Sequence, residues 1–296
     1  MKILALDSSG LVASVAVMED DTMLAEYTMN YKKTHSQTLL PMLDEMAKMI
    51  DLDMATIDAI AVAGGPGSFT GLRIGSATAK GLGLALKKPL ISIPTVDGLA
   101  YNLCGTEKIV CPLMDARRNQ VYTGIYEFEG NELKVVEPQM AVDLSEIAEK
   151  LNALGREVIF LGDGFPVYEK KLEELVKVPY TAAPAHMSRQ RAGALAALAM
   201  CYAKEGRMET AIEHQPDYLR LSQAERERAE KEKAEKSVKY YNDLLNYAID
   251  EISQKDPHCH YCKYRNETIC PKKCPDIKQQ ILGYLKLRWN LKNGKK

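Results

Sequence analysis

Between Ile57 and Leu86 the chain reads IDAIAVAGGPGSFTGLRIGSATAKGLGLAL, a strand, a glycine loop and a helix in immediate succession. The apolar run from Ile57 to Ala63 predicts a buried strand, Gly64 to Gly71 is too glycine-rich for anything but a shaped turn, and the segment from Arg73 onward is helix-forming. Such a junction aims several backbone N–H groups at one spot beside the positive end of the helix dipole. That makes Gly64, Gly65, Gly67 and Ser68 a candidate loop for a phosphate or carboxylate. No Gly-Lys-Ser/Thr follows, so the loop is not a Walker A motif. Along the helix Gly71, Gly75, Ala79 and Gly83 recur every four residues and leave one face nearly bare of side chains, which another backbone can approach closely. The spacing predicts a subunit interface, with packing on the chain's own sheet as the alternative.

Residues 3–31 read as a strand meander, with an apolar run ending at Asp7-Ser8-Ser9 and a hairpin turning at Glu19-Asp20-Asp21. A helix follows from near Thr38, with Pro41 confined to its first turn. Leu39, Leu43, Met46 and Ile50 share one of its faces, and Leu40, Met42 and Met49 widen the apolar coverage beyond a single core-facing stripe. The same two readings apply here, a partner surface or burial within its own domain. His35, just before this helix, reads as a capping or packing residue. After Pro94 a second unit begins, with strands at Ile109–Leu113, Val121–Tyr126 and Val158–Leu161 and helices at Leu144–Leu154 and Arg191–Lys204. Meander-plus-helix halves in tandem predict a duplicated α/β fold.

A chain of 296 residues that is 46% hydrophobic can bury one large core or two modest ones. The apolar run after Lys2 is too short for a signal peptide, and the uncharged stretch Ala192 to Ala203 is too short to span a bilayer. A cytoplasmic location without membrane contact is expected. The seven cysteines are then expected to be reduced, which turns attention from disulfides to metal. Residues 237–296 hold twelve Lys+Arg against six Asp+Glu, a net +6 that leaves −7 on residues 1–236. Ser222 to Lys236 carries five acids and five bases without a large apolar side chain, and reads as a solvated helical linker. Beyond it, Cys259-x2-Cys262-x7-Cys270-x3-Cys274 lies in a small helical module with little core of its own. Structural zinc on Cys259, Cys262, Cys270 and Cys274 is the expectation; Pro275 after the last cysteine keeps an iron–sulfur cluster as the alternative. Lys263, Arg265, Lys272 and Lys273, interleaved with Tyr261 and Tyr264, have the composition of a nucleic-acid surface. Cys104, Cys111 and Cys201 sit in apolar contexts that read as core filling.

The segment GGPGSFTGLRIGSATAKGLGLAL resembles the signature of the bacterial TsaB (YeaZ) family. Collinear blocks agree: ILALDSS at Ile3 to Ser9, THSQTLLPMLDEM at Thr34 to Met46, KPLISIPTVDGLA at Lys88 to Ala100, PLMDARRNQVYTGIY at Pro112 to Tyr126 and PDYLRLSQAE at Pro216 to Glu225. The cysteine-rich tail is a departure from that family. The resemblance implies a non-catalytic partner of the TsaD enzyme, which transfers a threonylcarbamoyl group to N6 of the adenosine beside the anticodon in tRNA. TsaE, an ATPase, would be the third member, with tRNA contacted indirectly or through the basic tail. It also implies the actin-like ATPase (ASKHA) architecture, with half-domains at 1–100 and 101–221; the linker at 222–236 and the metal module at 237–296 rest on the residues alone.

In that architecture nucleotides lie in the cleft between halves. Asp7 and the Gly64 to Gly67 loop become candidates to line it, faced by Asp115 and Arg117, and a nucleotide at the subunit interface becomes a candidate cofactor. TsaD carries an HxxxH metal motif where this chain has Thr95 and Leu99, neither of which is a plausible metal ligand, so no catalytic residue is assigned. The competing classes are an actin-like nucleotide hydrolase, a glycoprotease-like peptidase and a homodimer built on the same helices.

Overall fold

The repeated strand pattern of the sequence builds the same order of elements twice. β1 (Lys2–Asp7), β2 (Ala13–Glu19) and β3 (Thr22–Met29) form an antiparallel meander. It is followed by α1 (His35–Met49), β4 (Ala59–Gly65), α2 (Phe69–Leu86), β5 (Leu90–Pro94) and α3 (Thr95–Ala100). The second pass runs β6 (Ile109–Asp115), β7 (Gln120–Glu129), β8 (Glu132–Asp143), α4 (Leu144–Leu154), β9 (Val158–Leu161), α5 (Phe165–Leu175), β10 (Tyr180–Ala182) and α6 (Ala192–Lys204). The sheets are ordered β3-β2-β1-β4-β5 and β8-β7-β6-β9-β10, the same order in each half. β4 pairs parallel to β1 and β9 parallel to β6, and the parallel pairs β4–β5 and β9–β10 are each connected by a crossover helix, α2 and α5. This computed structural model describes residues 1–220 and the helical positions 227, 228, 231, 232, 235, 236, 239 and 240.

Each sheet is covered on both faces. On one face of the first, Leu39, Leu43 and Met46 of α1 and Ala79 of α2 pack on Leu4, Leu6, Val15 and Val62. On the corresponding face of the second, Leu144, Ile147 and Leu151 of α4 and Tyr168 and Leu172 of α5 pack on Ile109, Cys111 and Phe160. Each large apolar side chain buried this way contributes about 1.5–3 kcal/mol. The other faces are covered by the terminal helices, and these cross over. Ala192, Leu195, Ala196 and Ala199 of α6 share a core with Ile3, Ala5, Ala59, Ala61 and Ile91 of the first sheet. Val96, Leu99 and Ala100 of α3 share one with Val110, Met114 and Tyr126 of the second, although α3 also touches β4 and β5. A cut at residue 100 therefore separates the strands into the two sheets but places α6 in the half whose sheet it does not cover.

Several boundaries differ from the sequence reading. α2 starts at Phe69 rather than Arg73 because the Ser68 side chain caps it, accepting the Gly71 amide at 3.4 Å. α1 starts at His35, and β4 lies two residues later than the apolar run suggests. β5, α3, β8, α5 and β10 are not anticipated. β8 is half-exposed without clean alternation, and α5 buries only Tyr168 and Leu172, too weak a helical signal beside its charges.

The chain divides into two compact units, Met1–Arg220 and Leu221–Lys296. In the second, Arg228 Nε donates to Glu232 Oε1 at 3.2 Å, an exposed pair four residues apart of the kind expected from this charged stretch. Cys259, Cys262, Cys270 and Cys274 lie outside the described residues, as do Tyr261, Lys263, Tyr264, Arg265, Lys272 and Lys273. Among the described residues no helix is long and apolar enough to cross a membrane.

Candidate functional site

The glycine junction is sealed by its own chain. The Gly65 amide donates to Thr95 Oγ1 at 3.1 Å, the Ser68 amide donates to the Ser9 carbonyl at 2.7 Å, and the Gly64 carbonyl accepts the Asp217 amide at 2.7 Å. Gly65 has φ +122°, and a side chain there would collide with the Asp217 backbone. The segment that follows α6 returns as a cover. Tyr218 packs on Phe69 with ring centroids 4.7 Å apart, Arg73 lies 4.0 Å from the Phe69 centroid, and Lys80 Nζ donates to the Ile212 and His214 carbonyls at 3.2 and 2.9 Å.

This corrects the expectation of an anion loop at Gly64, Gly65, Gly67 and Ser68. The Gly65 and Ser68 amides already have partners, and the Ser9 carbonyl occupies the space beside Gly67. Asp7 does not face an open cleft either. It is 3% exposed and accepts the Ser9 amide and hydroxyl at 2.8 and 2.6 Å, an Asx turn. Burial pushes its carboxyl above the ordinary carboxylate range, while the Ser9 hydroxyl and amide and the charge of His35 pull it back. His35 Nε2 lies 2.8 Å from the Gly10 carbonyl, a packing role as expected.

The predicted interface stripes also face inward. Gly71, Gly75, Ala79 and Gly83 are all buried. A methyl group on Gly71 would collide with the Ser8 carbonyl, one on Gly75 would lie 2.6 Å from Ser8 Oγ, and one on Gly83 would lie 2.5 Å from Leu90 Cδ1. Ser8 Oγ further donates to the Gly71 carbonyl at 2.8 Å. The small residues exist so that α2 can lie on the end of β1 and on β5. Leu39, Leu43 and Met46 are core, with Ile50 packed against it. The bare face is thus an intramolecular contact.

What the two helices leave outward is a different set. On α1, Leu40 is 52% and Met49 67% exposed; on α2, Leu84 is 57% exposed beside the outward Ala77, Gly81 and Ala85. On α2 these residues follow one exposed strip, whereas on the neighbouring α1 Leu40 and Met49 are separated by the exposed Asp44, Glu45 and Lys48. The signal was present in the width of the apolar coverage on α1, which the sequence reading noted without separating inner from outer.

In the second half Asp115 ends β6. It accepts the Tyr168 hydroxyl at 2.9 Å and the Arg117 amide at 2.8 Å, and its own amide donates to Asp163 Oδ1 at 3.2 Å. Burial raises the Asp163 carboxyl, with the Asp115 amide pulling it back, and burial together with the Asp115 carboxylate pushes the Tyr168 phenol up to about 12. Arg117 is exposed and forms a 3.4 Å ion pair with Asp115.

Thr95 and Leu99, at the positions of the HxxxH histidines, are both 1% exposed: the threonine hydroxyl serves Gly65, and the leucine lies in the core. Between them sits a group the sequence reading missed. Asp97, 6% exposed, accepts the Tyr126 hydroxyl at 2.7 Å and the Tyr202 hydroxyl at 3.2 Å, tying α3 to β7 and α6. Burial raises its carboxyl, and the two tyrosines pull it back. A lone acid in the otherwise apolar TVDGLA was the available signal. Of the cysteines read as core filling, Cys111 is buried, and burial pushes its thiol up to about 12; Cys104 and Cys201 are half-buried beside Tyr101.

Residues 22–228 match a family model described as TsaD: tRNA N6-adenosine threonylcarbamoyltransferase. A Bacillus subtilis (strain 168) protein named tRNA threonylcarbamoyladenosine biosynthesis protein TsaB is 34% identical over 233 residues, 79% of this chain and 100% of that protein. The Escherichia coli (strain K12) protein of the same name is 32% identical over 172 residues, 57% of this chain and 74% of its own. A solved structure, YeaZ from Pseudomonas aeruginosa, superposes with a TM-score of 0.62 at 28% identity, covering 74% of this chain and 99% of its own.

Proposed function

The chain belongs to the TsaB (YeaZ) family of tRNA threonylcarbamoyladenosine biosynthesis proteins, and we propose that it serves that modification as a non-catalytic subunit docking on TsaD. The observation that carries this reading is the outward strip of α2, where Leu84 stands exposed beside Ala77, Gly81 and Ala85, with Leu40 and Met49 exposed on the neighbouring α1. Large apolar side chains beside small ones suit helix-on-helix packing with a partner of the same construction. TsaE joins the assembly, and tRNA is the object of the chemistry.

The non-catalytic assignment is supported by α3. The matching family model carries the enzyme's description, yet Thr95 and Leu99 are committed to a backbone amide and to the core. Neither offers a donor to a metal ion.

The test is Leu84→Glu combined with Met49→Glu, assayed by titration against TsaD and by tRNA modification with TsaD and TsaE supplied. Both exposed sites tolerate charge, so the thermal midpoint should hold within about 2 °C. The TsaD affinity should fall by at least about tenfold, because two carboxylates would be desolvated at the contact. Unchanged affinity would mean that TsaD docks elsewhere. If the variant instead dissolves a homodimer and leaves the TsaD complex intact, a second copy of the chain is the occupant.

A further inference from the structure

Ile212, at 76%, is the most exposed large apolar side chain among the described residues. Its backbone is held as firmly as its side chain is free. Thr210 and Glu213 cap one another: the Thr210 amide and hydroxyl donate to Glu213 Oε2 at 3.1 and 2.7 Å, and the Glu213 amide donates to Thr210 Oγ1 at 3.3 Å. Glu209 exchanges backbone hydrogen bonds with Leu90 of β5 at 2.8 and 2.9 Å, and its carboxylate lies 2.7 Å from Nδ1 of the buried His214. Lys80 of α2 bridges the turn through the Ile212 and His214 carbonyls. Ala211 is buried, and a methyl group on Gly83 of α2 would come within 3.1 Å of its Cβ. The turn is thus fixed to α2 and β5 with Ala211 and His214 inward and Ile212 outward.

A single exposed apolar side chain is ordinary on a protein surface. This one is distinguished by where it is fixed. Around a helix, at about 100° per residue, Leu84 lies about 40° from Lys80, whereas Gly71 lies on the side opposite Lys80. A methyl group on Gly71 would lie 3.4 Å from His35 of α1. The outward strip of Ala77, Gly81 and Leu84 therefore runs between α1 on one side and the Ile212 turn on the other.

The two borders differ in chemistry. On α1 the exposed Asp44, Glu45 and Lys48 interrupt the apolar residues. On the other border the charges are committed within the turn: Glu213 to Thr210, Glu209 to His214 and Lys80 to two carbonyls. Apolar surface beside Leu84 continues on the side of Ile212.

We infer that the Ile212 turn is part of the surface that TsaD occupies, extending the contact from α2 in the direction away from α1. The inference rests on the reading that TsaD docks on α2. An apolar side chain on a pre-positioned backbone loses little freedom when it is covered, so less of its burial is offset by ordering than on an unanchored loop.

The test titrates the full chain against TsaD, comparing the parent with Leu84→Glu, Ile212→Glu, Ile212→Ala and, as a reference on α5, Val167→Glu. Thermal midpoints of all four should hold within about 2 °C of the parent. Leu84→Glu and Ile212→Glu should each weaken the affinity at least about tenfold, Ile212→Ala about threefold, and Val167→Glu not at all. A benzophenone-bearing amino acid at position 212 should crosslink to TsaD in the complex, and one at position 167 should not. If Leu84→Glu weakens pairing while both Ile212 variants bind as the parent does and position 212 gives no crosslink, the inference is overturned and docking on α2 stands. If Leu84→Glu also leaves the affinity unchanged, docking on α2 fails and the inference falls with it. It is equally overturned if Ile212→Glu separates two copies of this chain and leaves the TsaD complex intact.

Discussion

α2 and α5 occupy the same place in the repeated order, each entered from a parallel strand through a glycine-containing turn, Gly64 to Gly67 before α2 and Gly162 to Gly164 before α5. Both junctions need those glycines: a side chain on Gly65 would collide with Asp217 and one on Gly162, at φ +102°, with the Leu113 carbonyl. Beyond that point the helices diverge. α2 turns small residues inward and lies close to Ser8 and Leu90, while Leu84 and Ala85 stand outward. α5 turns Tyr168 and Leu172 inward and shows Glu169, Lys170, Lys171, Glu173 and Glu174 outward. Topology decides where each helix lies, and the two faces together decide whether it ends in solvent or against a partner.

The largest break in this comparison comes from the inner face. Gly71→Ala, which forces a methyl group into the Ser8 carbonyl, should cost about 3 kcal/mol, read as a lower urea midpoint with unchanged slope. A neutral result would mean that α2 moves freely off β1. On the outer faces, Leu84→Glu should leave the fold intact and weaken pairing with TsaD at least about tenfold, an effect of about 1.4 kcal/mol. Val167→Glu on α5, at a site 60% exposed, should change neither stability nor pairing. If the α5 variant weakens pairing as much as the α2 variant, the contrast between the helices carries no information about the partner.

Asp97 tests the joint between the halves. Its folded carboxyl lies above the ordinary value of 3.8 because of burial. The folded state therefore binds that proton more tightly than the unfolded chain. The resulting stability is fully present below pH 3.8 and is lost as pH rises through the folded value. Asp97→Asn, which keeps the shape and one acceptor for Tyr126 or Tyr202, should show a flatter stability profile between pH 4 and 7. The slope difference can be no more than about 1.4 kcal/mol per pH unit. Parallel profiles would show that Asp97 does not titrate in this window. One expected effect has the opposite sign from the first: Gly81, with nothing within 4 Å of a methyl group, should stabilise α2 by about 0.5–1 kcal/mol when changed to Ala.

Much was determined by the sequence alone. The strand periods and the glycine junction specify two α/β passes, Leu144–Leu154 and Val158–Leu161 form where the pattern places them, and the collinear motifs identify the family. These signals are local, because a period of two or of 3.6 reports which element forms and that one side of it is buried. What they cannot report is which body does the burying. Gly71, Gly75, Ala79 and Gly83 demand a close neighbour, and only the fold shows that the neighbour is Ser8 and Leu90 of the same chain. The Asp217 cover over Gly64, the crossing of α6 onto the first sheet and the meeting of Asp97 with Tyr126 and Tyr202 join residues far apart in the chain. Contacts at such separation depend on how the two halves close on one another, a tertiary arrangement that no local period encodes.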